Sequence, residues 1–140
     1  MNTTELQLWD AKQYTELNPK ESNNRSTLLS LRFGQVSLLL TGDLEEPIEQ
    51  ALVEYGMVTQ HTILKVGHHG SKSSTSESFL REVRPEIALI SAGKNNKYGH
   101  PSPHILQRLT QLGVKQILRT DQQGTIELLT DGQVIWYAPN

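Results

Sequence analysis

Two neighbouring histidines, His68 and His69, follow an apolar run within the stretch ILKVGHHGSKSST. Glycines flank the pair, so the backbone can turn sharply there. Imidazole is a common metal ligand, and it also exchanges protons near neutral pH. Because adjacent residues of an extended chain point to opposite sides, both histidines reach one place only if the chain turns. We therefore expect one of them to bind a metal ion and the other to contact a substrate or to pack.

Asp43 and His100 also follow apolar runs and lie beside glycines, in TGD and YGHP. Asp43 is interpreted either as the N-cap of the helix that follows or as a metal ligand or base, and one carboxylate can do both. His100 either stabilises its loop as a hydrogen-bond donor or lines the same crevice as the other polar groups. His61 and His104 begin a strand and a helix, and we expect them to be structural.

Lysines and serines surround these positions. The stretch GSKSSTS is rich in hydroxyl groups that favour anions at a helix start, but it lacks the spacing of a phosphate-binding P-loop. Lys65, Lys72, Lys94 and Lys97 either attract phosphate or form ordinary solvated surface.

Composition limits the chemistry. The chain has 140 residues, which fits one domain, and it has no cysteine. Any metal must therefore be held by imidazole and carboxylate groups, which suit zinc, manganese or iron. The formal net charge of -2 gives no bulk attraction to nucleic acid. No apolar run approaches the roughly 18 residues needed to span a bilayer, so we expect a soluble chain.

The hydrophobic pattern predicts an α/β layered fold with a largely buried sheet. Residues 1–26 are interpreted as a loop-rich lead-in, with LNPKESNNRS as a loop. A hairpin or another short turn joins strands at 27–33 and 36–42, and a second hairpin surrounds Asp131 and Gly132. Between them, helices alternate with strands: helices at 44–55, 74–83 and 104–113, and strands at 62–66, 86–92 and 115–120. Sites in such folds gather at the carboxyl ends of strands, where we expect an imidazole of the His68–His69 pair to lie beside Asp43, with His100 either in the same crevice or only stabilising its loop.

Three motifs, SLLLTGDLE, ILKVGHHGSKSSTSESFLREVRPEIALISAGKNNKYGHPSPHILQRL and ILRTDQQGTIEL, resemble the C-terminal metallo-β-lactamase-like domain of the ComEC family. The resemblance covers residues 24–129. ComEC proteins are bacterial inner-membrane channels for DNA uptake. The resemblance implies a parent in that membrane with this domain soluble, and an αββα sandwich with a two-metal site.

The resemblance also implies roles for individual residues. Asp43 matches the carboxylate that bridges both metals, His69 the last histidine ligand, and His68 a residue near the substrate. His100 matches a family residue near the active crevice. The implied ions are divalent, zinc or manganese. The implied reaction is cleavage of the DNA strand that is not imported, for which two metals generate hydroxide and stabilise charge on phosphate.

One departure from the family is large, because the leading motif His-x-His-x-Asp-His is absent and no histidine precedes His61. The chain therefore corresponds to the second half of the domain, and the missing N-terminal half supplies most ligands. We expect this chain alone to bind little or no metal, to be inactive, and to self-associate through a sheet face without its covering layer. The alternatives are a non-catalytic docking module and a related phosphorylcholine-type esterase.

Overall fold

A computed structural model of the chain describes residues 4–10 and 25–138, which are organised around a sheet of six strands. The strands are β1 (Thr4–Asp10), β2 (Thr27–Phe33), β3 (Val36–Leu40), β4 (Ile63–Lys65), β5 (Ile87–Ile90) and β6 (Gln116–Arg119). The helices are α1 (Glu46–Glu54), α2 (Glu77–Val83), α3 (Pro103–Gln111) and the short α4 (Thr120–Gln123). A separate two-stranded sheet consists of β7 (Glu127–Thr130) and β8 (Ile135–Ala138).

The six strands lie side by side in chain order. β1, β2 and β3 are antiparallel, whereas β3 to β6 are parallel. Parallel neighbours require a crossover, and α1, α2 and α3 each provide one. The carboxyl ends of β3, β4, β5 and β6 consequently meet at one edge of the sheet, and the loops that follow them start close together.

One face of the sheet is covered by the three crossover helices. Strand pairing aligns Leu39, Leu64 and Ala88 across the sheet, so they share this face. They belong to one buried apolar cluster with helix residues Ile48, Leu52, Phe79, Leu80, Val83, Ile105 and Leu109. Burial of this apolar area is the main force that fixes the helices, and with them the loops, against the sheet.

The opposite face is covered only in part. The β7–β8 hairpin packs there through Ile126, Leu128, Ile135 and Tyr137. A cavity of about 530 Å³ with a mainly apolar lining lies between hairpin and sheet, and it contains none of the predicted site residues. Next to it, Leu6 and Leu8 are 61% and 62% exposed and pair with Leu31 and Leu29. We call these four leucines the open apolar face.

The mixed α/β sheet predicted from the sequence is confirmed. The turn between β2 and β3 is a hairpin, because Phe33 pairs with Val36, and the hairpin around Asp131 and Gly132 is β7–β8. Each predicted helix and strand after residue 26 is present with bounds shifted by a few residues, and α4 was not predicted. None of the described helices has the length and apolar content needed to cross a bilayer.

One expectation is wrong. The loop-rich lead-in over residues 1–26 is corrected for residues 4–10, because β1 forms there by pairing with β2. The predicted loop at 17–26 falls mostly outside the described residues. The expectation of a largely buried sheet is confirmed for β3 to β5, whose residues are buried or half-buried between the helices on one face and the hairpin on the other, whereas the described side chains of β1 are exposed.

His61 joins β2 to the start of β4. It is 2% exposed, its Nδ1 lies 2.7 Å from the Thr59 carbonyl oxygen, and its Nε2 lies 2.7 Å from Ser30 Oγ. A carbonyl only accepts, so Nδ1 donates to Thr59 and Nε2 accepts from the Ser30 hydroxyl. Burial lowers the pKa of His61 below its ordinary value of 6.5, more than the Thr59 hydrogen bond raises it.

This lowered pKa predicts a loss of stability in acid. Below about pH 6.5 the unfolded chain takes up a proton that folded His61 resists, so its contribution to the free energy of unfolding falls by at most about 1.4 kcal/mol per pH unit. Urea unfolding above and below that pH measures the effect. His61→Gln should remove part of the acid loss, and His104→Gln, at an exposed histidine, should not. The same acid loss in His61→Gln as in the wild type would contradict this assignment.

Candidate metal centre

Three loops meet at the carboxyl edge of the sheet. Asp43 lies three residues beyond β3, His68 and His69 form a turn just beyond β4, and Ser91 follows the last residue of β5. The parallel order of these strands brings residues that are far apart in the chain to one place. Strand ends are fixed by the sheet, so the loops start from rigid positions.

The two histidines lie in a single 3₁₀ turn, Gly67–Gly70. His68 and His69 have φ values of 45° and 55°, a left-handed conformation that is unfavourable for residues other than glycine. Main-chain hydrogen bonds hold the turn: His68 N–H donates to Gly42 at 3.0 Å, and Ser102 N–H donates to Gly70 at 2.8 Å. Strain of this kind persists where the surroundings enforce it, which is common at functional sites.

The next loop fits closely on this turn. A Cβ added at Gly70 would lie 2.6 Å from Cβ of Pro101, so only glycine allows this approach. The contact places His100, the residue before Pro101, next to the histidine pair. Ring centroids of His68 and His100 are 5.9 Å apart, and those of His68 and His69 are 6.4 Å apart.

His69 faces Asp43. Its Nε2 lies 3.7 Å from Asp43 Oδ1, and its Nδ1 lies 2.7 Å from the Ser91 carbonyl oxygen. Because a carbonyl cannot donate, Nδ1 carries the proton and the lone pair of Nε2 points towards the carboxylate in the neutral ring. A backbone carbonyl on the far nitrogen is the usual partner of a metal-binding histidine.

Two acceptors that face each other at this distance leave a position between them that suits a cation or a proton. Nε2 of His69 and Oδ1 of Asp43 therefore fit a divalent metal in ligand type. They do not complete a site, since a catalytic zinc usually has three protein ligands. Within residues 4–10 and 25–138, no group of three or more histidine, aspartate or glutamate side chains is arranged to hold a metal ion.

His68 turns away from Asp43 and faces Glu45. Its buried Nδ1 lies 3.4 Å from Glu45 Oε1, which also accepts a hydrogen bond from Ser73 Oγ at 2.9 Å. The two atoms form no hydrogen bond, and Nδ1 has no hydrogen-bond partner in the described part of the chain. The contact therefore places a ring nitrogen beside a carboxylate oxygen at ion-pair distance without a hydrogen bond. In this turn, His69 therefore faces Asp43 and His68 faces Glu45.

His100 lies at the other side of the pair, on a loop fixed by Asn96. The Asn96 side chain accepts from the N–H groups of Tyr98 and His100 and donates to the carbonyls of Gly93 and His100. Burial, and to a smaller degree the positive charge of protonated His68 and His69, lowers the pKa of His100 below 6.5. A neutral imidazole at pH 7 follows from this.

Lys65 differs from the three other lysines singled out in the sequence. Lys72, Lys94 and Lys97 are exposed, whereas Lys65 is partly buried at the end of β4 and donates to the Val66 carbonyl at 2.9 Å. Burial lowers the pKa of Lys65, and the nearby carboxylate of Asp43 opposes this. One lysine is therefore within electrostatic range of the candidate metal ligand.

Glu49 of α1 supports the histidine turn from below. Its carboxylate is fully buried and accepts from the N–H groups of Thr75 and Ser76 at 2.6 and 2.7 Å. Thr75 Oγ1 in turn accepts from Gly67 N–H, and Ser74 Oγ donates to the Gly67 carbonyl. The hydroxyl groups of residues 70–76 are thus engaged within the protein. Burial raises the pKa of Glu49 to about 7, although the two N–H groups favour its charged form.

The structure brings Asp43, His68, His69 and His100 together, and their chemical roles stay predictions. The interpretation of Asp43 as a helix N-cap is wrong, because the helix begins after Glu45, whose side chain makes no capping bond. Sequence reasoning missed the positioning roles of Glu45, Glu49, Ser91 and Asn96. A sequence signal existed for only two of them: the negative charges of Glu45 and Glu49 lie at the start of α1. Acidic residues are common at the start of any helix, so this signal does not indicate a site.

Comparison with known sequences gives a family match. The pattern of the metallo-beta-lactamase superfamily matches residues 18–94. This range contains Asp43 and both histidines of the turn, and it ends before His100.

Relatives extend the similarity along the chain. ComE operon protein 3 of Bacillus subtilis (strain 168) is 46% identical over 110 residues, which cover 79% of this chain and 14% of that protein. Competence protein ComA of Neisseria gonorrhoeae is 38% identical over 125 residues, 85% of this chain and 18% of that protein. Recombination protein 2 of Haemophilus influenzae is 37% identical over 106 residues, 72% and 13% respectively. The chain spans less than a fifth of the length of each.

Removing the Glu49 carboxylate should destabilise the fold. Glu49→Ala leaves two buried N–H groups without acceptors, each of which costs about 1–3 kcal/mol of unfolding free energy. Urea unfolding measures the loss, with Glu54→Ala, at an exposed position of α1, as the matched control. Equal stabilities of the two variants would contradict the supporting role of Glu49.

Ionisation of Glu49 should make the free energy of unfolding depend on pH. Its pKa is higher in the folded chain than the ordinary 4.5, so its contribution to stability falls as the pH rises from about 4.5 to about 7. Glu49→Gln, which cannot ionise, should lack that fall, and unfolding at a series of pH values would detect it. An unchanged pH profile in Glu49→Gln would show that the carboxyl does not titrate in this range.

Proposed function

Because the chain belongs to the metallo-beta-lactamase superfamily and has competence proteins among its relatives, we propose that it is the C-terminal half of a metal-dependent phosphodiesterase domain acting on single-stranded DNA during DNA uptake. The observation that carries the proposal is the 3.7 Å approach of His69 Nε2 to Asp43 Oδ1. The parent protein in this proposal lies in a bacterial inner membrane, with this domain soluble.

Asp43 and His69 are the residues of this chain that would bind the metal, zinc or manganese. A preceding segment with the His-x-His-x-Asp-His motif would provide the remaining ligands, so the isolated chain is proposed to be inactive. When bound, such ions lower the pKa of water and stabilise negative charge on phosphate. Ser91 fixes the tautomer of His69 that this binding requires.

His68 and His100 are proposed to act on the substrate side. Nδ1 of His68 lies beside the Glu45 carboxylate, so Nε2 is the ring nitrogen left to face a phosphate oxygen. His100 is neutral at pH 7 because burial lowers its pKa, so it can accept a proton. Lys65 adds positive charge near Asp43, which favours an anionic substrate.

A second candidate is a non-catalytic docking module. The open apolar face favours it, because Leu6 and Leu8 are more than half exposed on a sheet edge that could receive a partner. In this candidate the histidine turn would be a remnant of a catalytic site. Cleavage by the complete domain separates the two functions.

The catalytic proposal predicts that Asp43→Asn abolishes cleavage. The substitution keeps the size of the side chain but removes the negative charge that would hold the metal. Cleavage of labelled single-stranded DNA by the complete domain, with added manganese or zinc, measures the result. Removing a residue that only hydrogen-bonds to a metal ligand reduces activity by about 10- to 100-fold. Removing the ligand itself should therefore reduce cleavage by at least about 100-fold.

Glu82→Gln, at an exposed position of α2, is the matched charge-removing control and should cleave like the wild type. Zinc titration monitored by the NMR signals of the His69 ring gives a readout apart from activity. Unchanged cleavage by Asp43→Asn would remove this residue from the mechanism, and absence of cleavage by the wild-type complete domain would favour the docking module.

The open apolar face predicts self-association of the isolated chain. In the complete domain we propose that the preceding segment covers this face, and without that segment a second copy would bury the exposed leucines. Sedimentation equilibrium over the micromolar range should detect the association, and Leu6→Lys with Leu8→Lys should weaken it. Tyr55→Lys, at an exposed aromatic side chain beside the last turn of α1, is the control. A clean monomer of the wild-type chain would contradict this prediction.

A further inference from the structure

Tyr98 is a large aromatic side chain that remains 69% exposed on a firmly held loop. Its own N–H donates to Asn96 Oδ1, and the same amide side chain fixes Gly93 and His100 on either side. An exposed aromatic ring gains nothing from burial within the chain, and here its backbone is pre-organised by hydrogen bonds. This combination is typical of a ring that contacts a ligand.

The neighbours of Tyr98 define the kind of ligand. The ring is stacked with His100 at an interplanar angle of 23° and a centroid distance of 5.9 Å. Lys97 Nζ lies 5.1 Å from the ring centroid. Two aromatic rings with an adjacent cation favour a flat π-system that carries negative charge nearby. A base attached to a sugar-phosphate backbone has both properties.

A cavity of about 260 Å³ connects Tyr98 with the candidate metal centre. It is smaller than the roughly 300–1,000 Å³ of sites for drug-sized molecules, so it suits one ring system and not a larger ligand. Tyr98 lines one part of the cavity, and His69, the candidate metal ligand of the turn, lines another. The remaining lining residues are Ser91, Ala92, Gly93, Asn96 and His100. A ligand in the cavity would therefore lie next to a phosphodiester bound at Asp43 and His69.

We propose that Tyr98 and this cavity form a stacking subsite for one unpaired nucleobase of a single-stranded nucleic acid. The proposal rests on the function proposed above, in which the neighbouring phosphodiester is held at Asp43 and His69. Every base has a π-face, so such a subsite tolerates any sequence. A base in a duplex is already stacked and paired, so the subsite selects single strands. Lys97 then pairs with the backbone phosphate next to the stacked base.

The test compares two probes that differ only in their bases. Labelled oligothymidylate and an abasic oligomer of the same length are bound to the chain in low salt with manganese, and fluorescence anisotropy gives both affinities. Stacking of one base should make oligothymidylate bind about 5- to 150-fold more tightly. Tyr98→Ala should abolish this preference, Tyr98→Phe should retain it, and Tyr55→Ala should behave like the wild type.

Equal affinities for the two probes, no binding of either, or an unchanged preference in Tyr98→Ala would overturn the proposal. Thermal unfolding of each variant checks the fold, and Tyr98→Phe tests the ring if Tyr98→Ala is unstable. Cleavage of both probes by the complete domain is measured separately. If Tyr98 provides a base preference but the complete domain does not cleave, the subsite stands and the phosphodiesterase function is rejected. If the complete domain cleaves but shows no base preference, the phosphodiesterase function stands and the subsite is rejected.

Discussion

Two consecutive histidines in a left-handed backbone conformation are the constraint on which the candidate site depends. A conformation of this kind costs about 1–3 kcal/mol for each residue other than glycine, so it must be enforced from outside. Two main-chain hydrogen bonds hold the turn at its ends: His68 N–H donates to the Gly42 carbonyl, and Ser102 N–H donates to the Gly70 carbonyl. The turn points one imidazole at Asp43 and the other at Glu45.

A buried polar network transmits the stability of the fold to this turn. The apolar cluster fixes α1 on the sheet, α1 carries Glu49, and Glu49 holds the N–H groups of Thr75 and Ser76. Thr75 then reaches Gly67 at the start of the turn. A carboxylate buried for this purpose costs free energy through desolvation, which appears as a raised pKa. The serines and threonines of this segment thus act on the site through the backbone.

The two faces of the sheet have different consequences for function. The helix-covered face contributes the core and needs no further partner. The other face carries a small hairpin, an apolar cavity and exposed leucines, so its stability depends on what covers it. The candidate metal ligands lie at the carboxyl edge, and too few for a complete site come from the described residues.

Much of the fold could be predicted from local pattern. Short apolar runs predicted the strands from β2 onward, helical spacing predicted α1 to α3, and a dipeptide containing glycine marked each hairpin. β1 was not predicted, because the alternation of Leu6 and Leu8 with polar residues is too short to distinguish a strand from a polar lead-in without its pairing with β2. Asp43 was interpreted as a possible helix cap because sequence cannot decide where a first turn begins, and the helix starts after Glu45.

The sequence by itself determined the ligand chemistry: with no cysteine, a metal here can be held only by imidazole and carboxylate. It also determined that these groups follow strands. Tertiary structure alone decided that His69 faces Asp43, that His68 faces Glu45, and that Ser91 sets the tautomer of His69. These contacts join residues more than twenty positions apart, and their geometry depends on strand pairing and on positive φ angles, neither of which is encoded in any local stretch.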